Sequence, residues 1–178
     1  NAFAGCENYG ERGSGNESIA YKVNKRLKSD FENCFFLVCW SSPYRMGEFV
    51  DPERGYKHAK HKVNKDYEFQ TKMLMHGISK LLDLNKIPYA FTSSFTPCNY
   101  KDINFINYNY PNNSLFDIIA LRYCNQSITM KEDLDANHDQ FDVEPNKYIA
   151  YCKHPSELGH QLIAETLDKH IKKYIIKK

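Results

Sequence analysis

The sequence predicts an α/β domain built on a mainly parallel sheet, and three features carry that reading. Short apolar runs of strand length recur along the chain. Longer segments with apolar residues every three or four positions separate them, and one such segment closes the chain. Parallel strands need long crossover connections, and helices of this length supply them. A single domain is expected over residues 1–178: the length suffices for one hydrophobic core, and no linker or internal repeat divides it.

In chain order, Cys6-Glu7-Asn8-Tyr9 reads as a short strand, followed by a glycine-rich turn through Gly10, Gly13 and Gly15. A helix is expected over 17–28, with Ile19, Ala20, Val23 and Leu27 on one face. Residues 33–40 form a continuous apolar run, the pattern of a strand buried on both faces. Ser41-Ser42-Pro43-Tyr44-Arg45 ends it, and a polar loop of about twenty residues follows. Residues 65–83 read as a long helix with Tyr67, Leu74, Ile78, Leu81 and Leu82 as its stripe. The next strand is expected over 87–92, where Pro88 is tolerable near the start. A polar, Asn-rich stretch over 93–113 leads to a short helix over 115–122 and then to a loop over 129–151. The final helix, 156–175, is patterned at Leu158, Leu162, Ile163, Leu167, Ile171 and Tyr174. Ligands of such sheets collect at the carboxyl ends of strands. The loops at 10–16, 41–45 and 92–97 therefore outrank the rest of the chain as site candidates.

Composition excludes more than it selects. A net charge of +2 gives no bias toward nucleic acid or membrane surfaces, and no apolar run approaches the length needed to span a bilayer. The lysines at 172, 173, 177 and 178 suit the negative end of a helix dipole. Six cysteines stand without any CxxC pair, which argues against a zinc site and for buried free thiols in a reducing, cytoplasmic setting. No basic, apolar leader is visible at the start. N-x-S sequons begin at Asn16, Asn112 and Asn125, as chance supplies in so Asn-rich a chain. Nothing in the sequence calls for a cofactor or a metal. The acidic run Asp133-x-Asp135-x-Asn137-x-Asp139 with Glu144 has the oxygen-ligand spacing of a calcium loop, but His138 stands where that loop needs glycine, so a solvated loop is expected.

The most function-like stretch is His154-Pro155-Ser156-Glu157-Leu158-Gly159-His160. A histidine fixed by a following proline just before a helix is rigid yet accessible, which suits a general base facing a hydroxyl nucleophile. The same letters also serve as a plain helix start, with Pro155 in the first turn and Ser156 as cap.

This block, continuing to Ile163-Ala164, resembles the last block of the SGNH (GDSL-like) hydrolases. The resemblance implies a three-layer α/β/α, flavodoxin-like domain and an ester or acyl hydrolase. It makes His154 the base and leaves His160 a structural residue. The turn Gly13-Ser14-Gly15-Asn16 is similar to the family's second block, whose glycine N–H lines an oxyanion hole, so the resemblance puts Gly13 there and Asn16 beside the substrate. Trp40-Ser41-Ser42-Pro43-Tyr44-Arg45 stands at the third block and resembles a W-[S/T]-S-P-x-R variant of phage-like and marine-environment members. Ser41 then takes the place of the family's asparagine donor, with Trp40 and Arg45 as substrate-side residues. Arg45 suits a carboxylate or phosphate, or a surface ion pair.

Two departures stand out. The family's orienting aspartate is Tyr151 here, and Asp139 or Asp142 is the available substitute. The first block, Gly-Asp-Ser, has no room ahead of Gly13, so the resemblance implies a domain short of its first strand and inactive or incomplete as it stands. Ser14, Ser41 and Ser42 lie in suitable loops without marking a nucleophile. The expected ligand is a small ester or an acetylated glycan. The competing expectation is a non-catalytic module of the same fold that binds a glycan or a protein through its many Tyr, Phe and Asn side chains.

Overall fold

The computed structural model describes residues 5, 7–9, 14–28, 34–43, 45–46, 49–51, 55–56, 60–61, 65–94, 100, 102–109, 113–124, 147–150 and 155–175. The elements are α1 (Asn16–Arg26), β1 (Phe36–Trp40), β2 (Arg45–Met46), β3 (Phe49–Asp51), β4 (Gly55–Tyr56), β5 (Lys60–His61), α2 (Lys65–Leu84), β6 (Tyr89–Ser93), α3 (Leu115–Cys124) and α4 (Glu157–Ile175). The domain is mixed α/β, and its β1–α2–β6 unit joins two parallel strands through a helix.

Strands β1 and β6 pair in register from Phe36 opposite Tyr89 to Trp40 opposite Ser93. The apolar run expected to start at 33 becomes strand only from Phe36, whose N–H donates to the Pro88 carbonyl. Pro88 has no N–H for a ladder and sits outside the strand, where only its carbonyl is needed. On its far side β6 continues into bridges at Phe91–Phe105 and Ser93–Ser114, so it is central and buried along its whole length.

Burial on both faces, expected for β1, is not what the fold provides. Val38 and Trp40 are buried, whereas Leu37 and Cys39 on the opposite face are exposed. A continuous apolar run is compatible with either outcome, because it specifies no partner for the second face. Cys39 is thereby exposed and Cys34 half-buried, against the expectation of buried cysteines. Residues 7–9 form no strand; they lie beside α1, where Lys22 Nζ donates to the Tyr9 carbonyl and Arg26 faces Glu7. The polar loop after β1 is a nested antiparallel ribbon instead: β2 pairs with β5 outside, and β3 with β4 inside.

Two core clusters hold the elements together. Ala20 and Val23 of α1 and Met75, Ile78 and Leu82 of α2 pack with Trp40, Tyr89 and Phe91. Phe116, Ile118 and Ile119 of α3 and Leu162 of α4 pack with Ala90, Ile106, Tyr108 and Ile149. Successive residues of β6 thus divide between the clusters, as the two-residue period of a strand requires. Within the second cluster Tyr108 hydrogen-bonds Thr92 Oγ1 at 2.8 Å, and burial pushes its phenol well above the usual tyrosine range. Leu81 and Leu158, both counted in apolar stripes, are exposed. Lys172 and Lys173 lie in the last turn of α4, where the dipole favours them. Among the described residues no helix is long and apolar enough to cross a membrane, and no group of His, Cys, Asp and Glu could hold a metal ion.

Candidate functional site

The parallel pairing brings the carboxyl ends of β1 and β6 side by side, and Ser94 N–H donates to the Trp40 carbonyl at 2.9 Å just beyond the last paired residues. Helix α1 starts at the same end. Its N-cap is Gly15, which offers no side-chain cap, and Asn16 occupies the first helical position. An asparagine at a helix start usually serves the helix's own N–H groups. Asn16 turns away instead and reaches across to the loop that leaves β1.

Asn16 is fully buried, and each end of its amide has a defined partner. Its Oδ1 accepts from Ser41 N–H at 3.0 Å. Its Nδ2 donates to the Ser42 carbonyl at 2.9 Å and to Thr71 Oγ1 at 3.2 Å. This pattern fixes the amide's orientation, since a flipped group would set its NH2 against the Ser41 N–H. Thr71, equally buried on α2, donates in turn to the Pro43 carbonyl at 2.8 Å. The segment Ser41-Ser42-Pro43 is therefore held at three consecutive backbone positions by two side chains from two helices.

Trp40 lies under this loop with no exposed surface, edge-on to Phe91 at 5.4 Å. In this conformation Trp40 and Asn16 have no surface to offer a ligand; they support the loop from below. Ser41 and Ser42 are buried, and Ser14 is half-buried. The Ser41 N–H is committed to Asn16, so the residue's remaining donor is the hydroxyl. Arg45 opens β2 opposite His61, and its side chain lies outside the described residues. Gly13, Tyr151, His154 and the acidic loop with Asp139 and Asp142 also lie outside them.

On the β6 side, Ser93 and Ser114 are fully buried and bridge each other, and Phe116 N–H donates to the Ser94 carbonyl at 3.1 Å. Ser114 caps α3 by accepting from Asp117 N–H at 3.2 Å. Asp117 is fully buried in the first turn of α3, where the helix dipole favours a carboxylate, and the residue has a further interaction. Two buried polar atoms at this end, Trp40 Nε1 and Ser94 Oγ, have no hydrogen-bond partner among the described residues.

The histidine block has a structural explanation for much of its spelling. Ser156 caps α4: its Oγ accepts from Gly159 N–H at 3.2 Å and donates to the Lys147 carbonyl at 2.5 Å. Ser156 N–H donates to the Tyr148 carbonyl at 2.8 Å, and Pro155 bridges Ile149. Gly159 lies against that same Tyr148 carbonyl, with Ile119 and Pro155 on its other sides, so a Cβ there would overlap the oxygen. His160 is exposed and packs in neither core. Replacing Ser156 by alanine is expected to cost about 1–2 kcal/mol, read as a lower thermal midpoint, since the cap and the tie to Lys147 go together.

Thr71, Ser114 and Asp117 escaped sequence reasoning. For Thr71 a signal existed: it falls on the helical stripe of Met75, Ile78 and Leu82, where a hydroxyl needs a buried partner. The described residues at this end are buried hydroxyl and backbone groups, with the exit loop of β1 fixed by Asn16 and Thr71. Compared with protein-family models, with curated proteins and with solved structures, the chain finds no match in any of the three.

Proposed function

We propose that this chain is an SGNH-type ester or acyl hydrolase domain for a small ester or an acetylated sugar. His154 acts as base, and the Gly13 N–H and Ser41 hydroxyl face the developing oxyanion, with Arg45 on the substrate side. The observation that carries the reading is the anchoring of Ser41-Ser42-Pro43 by Asn16 and Thr71 at the carboxyl end of β1. Oxyanion stabilisation depends on donors fixed before charge develops, and a loop tied at three successive backbone positions meets that need. The division of β6 between two helix-lined clusters supports the three-layer α/β/α, flavodoxin-like architecture that goes with it.

Hydrolysis of p-nitrophenyl acetate and butyrate by the 178-residue chain tests the reading. Turnover that His154→Ala lowers by about 10²–10⁴-fold, the usual contribution of a general base, would show that a nucleophile lies within these residues and support the reading. Turnover that survives His154→Ala removes His154 from the mechanism. A chain silent on esters that nonetheless binds an acetylated glycan column would instead be the non-catalytic module.

A further inference from the structure

We propose that Thr71 is the positioning residue of the β1 exit loop, setting the angle at which Ser41 is presented. This rests on the assignment of Ser41 to the oxyanion side and names the residue that tunes it. Thr71 Oγ1 accepts from Asn16 Nδ2 and donates its single hydrogen to the Pro43 carbonyl. Asn16 Oδ1 accepts from Ser41 N–H. The result is one continuous chain of hydrogen bonds that leaves the loop at Pro43, passes through α2 and α1, and re-enters at Ser41. Each donor in it is used in one direction only, so rotating the Thr71 hydroxyl breaks the chain.

The alternative to positioning is that a buried hydroxyl on α2 merely stabilises the helix. Ser79 provides the control: it is buried on the same helix, its Oγ bonds Tyr89 OH at 2.6 Å, and among the described residues no hydrogen bond ties it to the loop. Thr71→Val keeps the branched shape and removes both hydrogen bonds, while Thr71→Ser keeps the hydroxyl.

The test is backbone amide exchange at Ser41, measured by NMR in the full chain, with p-nitrophenyl acetate kinetics alongside. Thr71→Val is expected to speed Ser41 exchange by about tenfold, the effect of one lost hydrogen bond. Thr71→Ser should restore the wild-type rate, and Ser79→Ala should leave Ser41 unchanged despite lowering stability. In the kinetics, Thr71→Val should lower kcat and leave KM in place. Unchanged Ser41 exchange in Thr71→Val overturns the proposal, as does equal acceleration in Ser79→Ala. If the valine variant does not fold, Thr71→Ala takes its place with the same outcomes. Absence of turnover in the wild-type chain counts against the hydrolase reading alone, because the exchange comparison still decides the role of Thr71.

Discussion

Asn16→Ala is expected to destabilise the domain by about 3–5 kcal/mol, because the substitution removes three buried hydrogen bonds at once. Ser41 N–H loses its acceptor, and the Ser42 carbonyl and Thr71 Oγ1 each lose a donor. A buried polar group left without a partner costs roughly 1–3 kcal/mol, and the sum falls short of the maximum because Thr71 keeps its bond to Pro43 and Ser42 has a further interaction. For a domain of this size the loss corresponds to a fall of roughly 10 °C in the thermal midpoint. Asn16→Asp should lie in the same range, since it keeps an acceptor for Ser41 but turns both donors into acceptors. A midpoint within a degree or two of wild type for either variant would show that the amide does not bind the loop. The same burial bears on the Asn16-Glu17-Ser18 sequon, whose amide nitrogen is already committed in the folded chain.

Gly159→Ala is the second large effect, and here two opposing terms must be compared. Within a helix, alanine is favoured over glycine by about 1 kcal/mol, so a free site would gain stability. At this position the new Cβ overlaps a backbone oxygen, which cannot rotate away as a flexible side chain would. Moving that carbonyl weakens its bond from Ser156 N–H and pushes α4 off Ile119. The net expectation is a loss of about 2–4 kcal/mol, with overpacking exceeding propensity. Thermal unfolding reads the sign directly: a raised midpoint would mean that the corner yields freely. Gly77 of α2 makes the comparison, because nothing stands near its missing Cβ and Gly77→Ala should stabilise by about 1 kcal/mol.

These two residues also show why the sequence blocks were legible in unequal degree. Pro155, Ser156 and Gly159 stand out because helix starts and close backbone contacts accept few residue types, so their geometry shows in the letters. Asn16 stood out for a reason other than the one its contacts show. As part of a glycine turn it pointed to a ligand, whereas its amide serves the protein's own loop. Thr71 signalled at most a need for some buried partner, because a threonine within a helical stripe gives no indication of which distant carbonyl it meets. The ribbon of β2 to β5 was equally hidden: its strands are two or three residues long, too short for a two-residue alternation to register.

Period and punctuation in the sequence determined the mixed α/β character, the two paired strands and the long helices. Lys65–Leu84 and Glu157–Ile175 each lie within a residue of the limits that spacing predicts. These properties depend on neighbours three or four residues apart, and a linear pattern records such neighbours faithfully. Tertiary structure alone decided that Leu37 and Cys39 face outward, that Asn16 and Trp40 are buried at the exit of β1, and that Thr71 bonds to Asn16 and the Pro43 carbonyl. Each of those outcomes depends on a partner 25 to 55 residues away or on what covers a face, and local spacing carries no information about either.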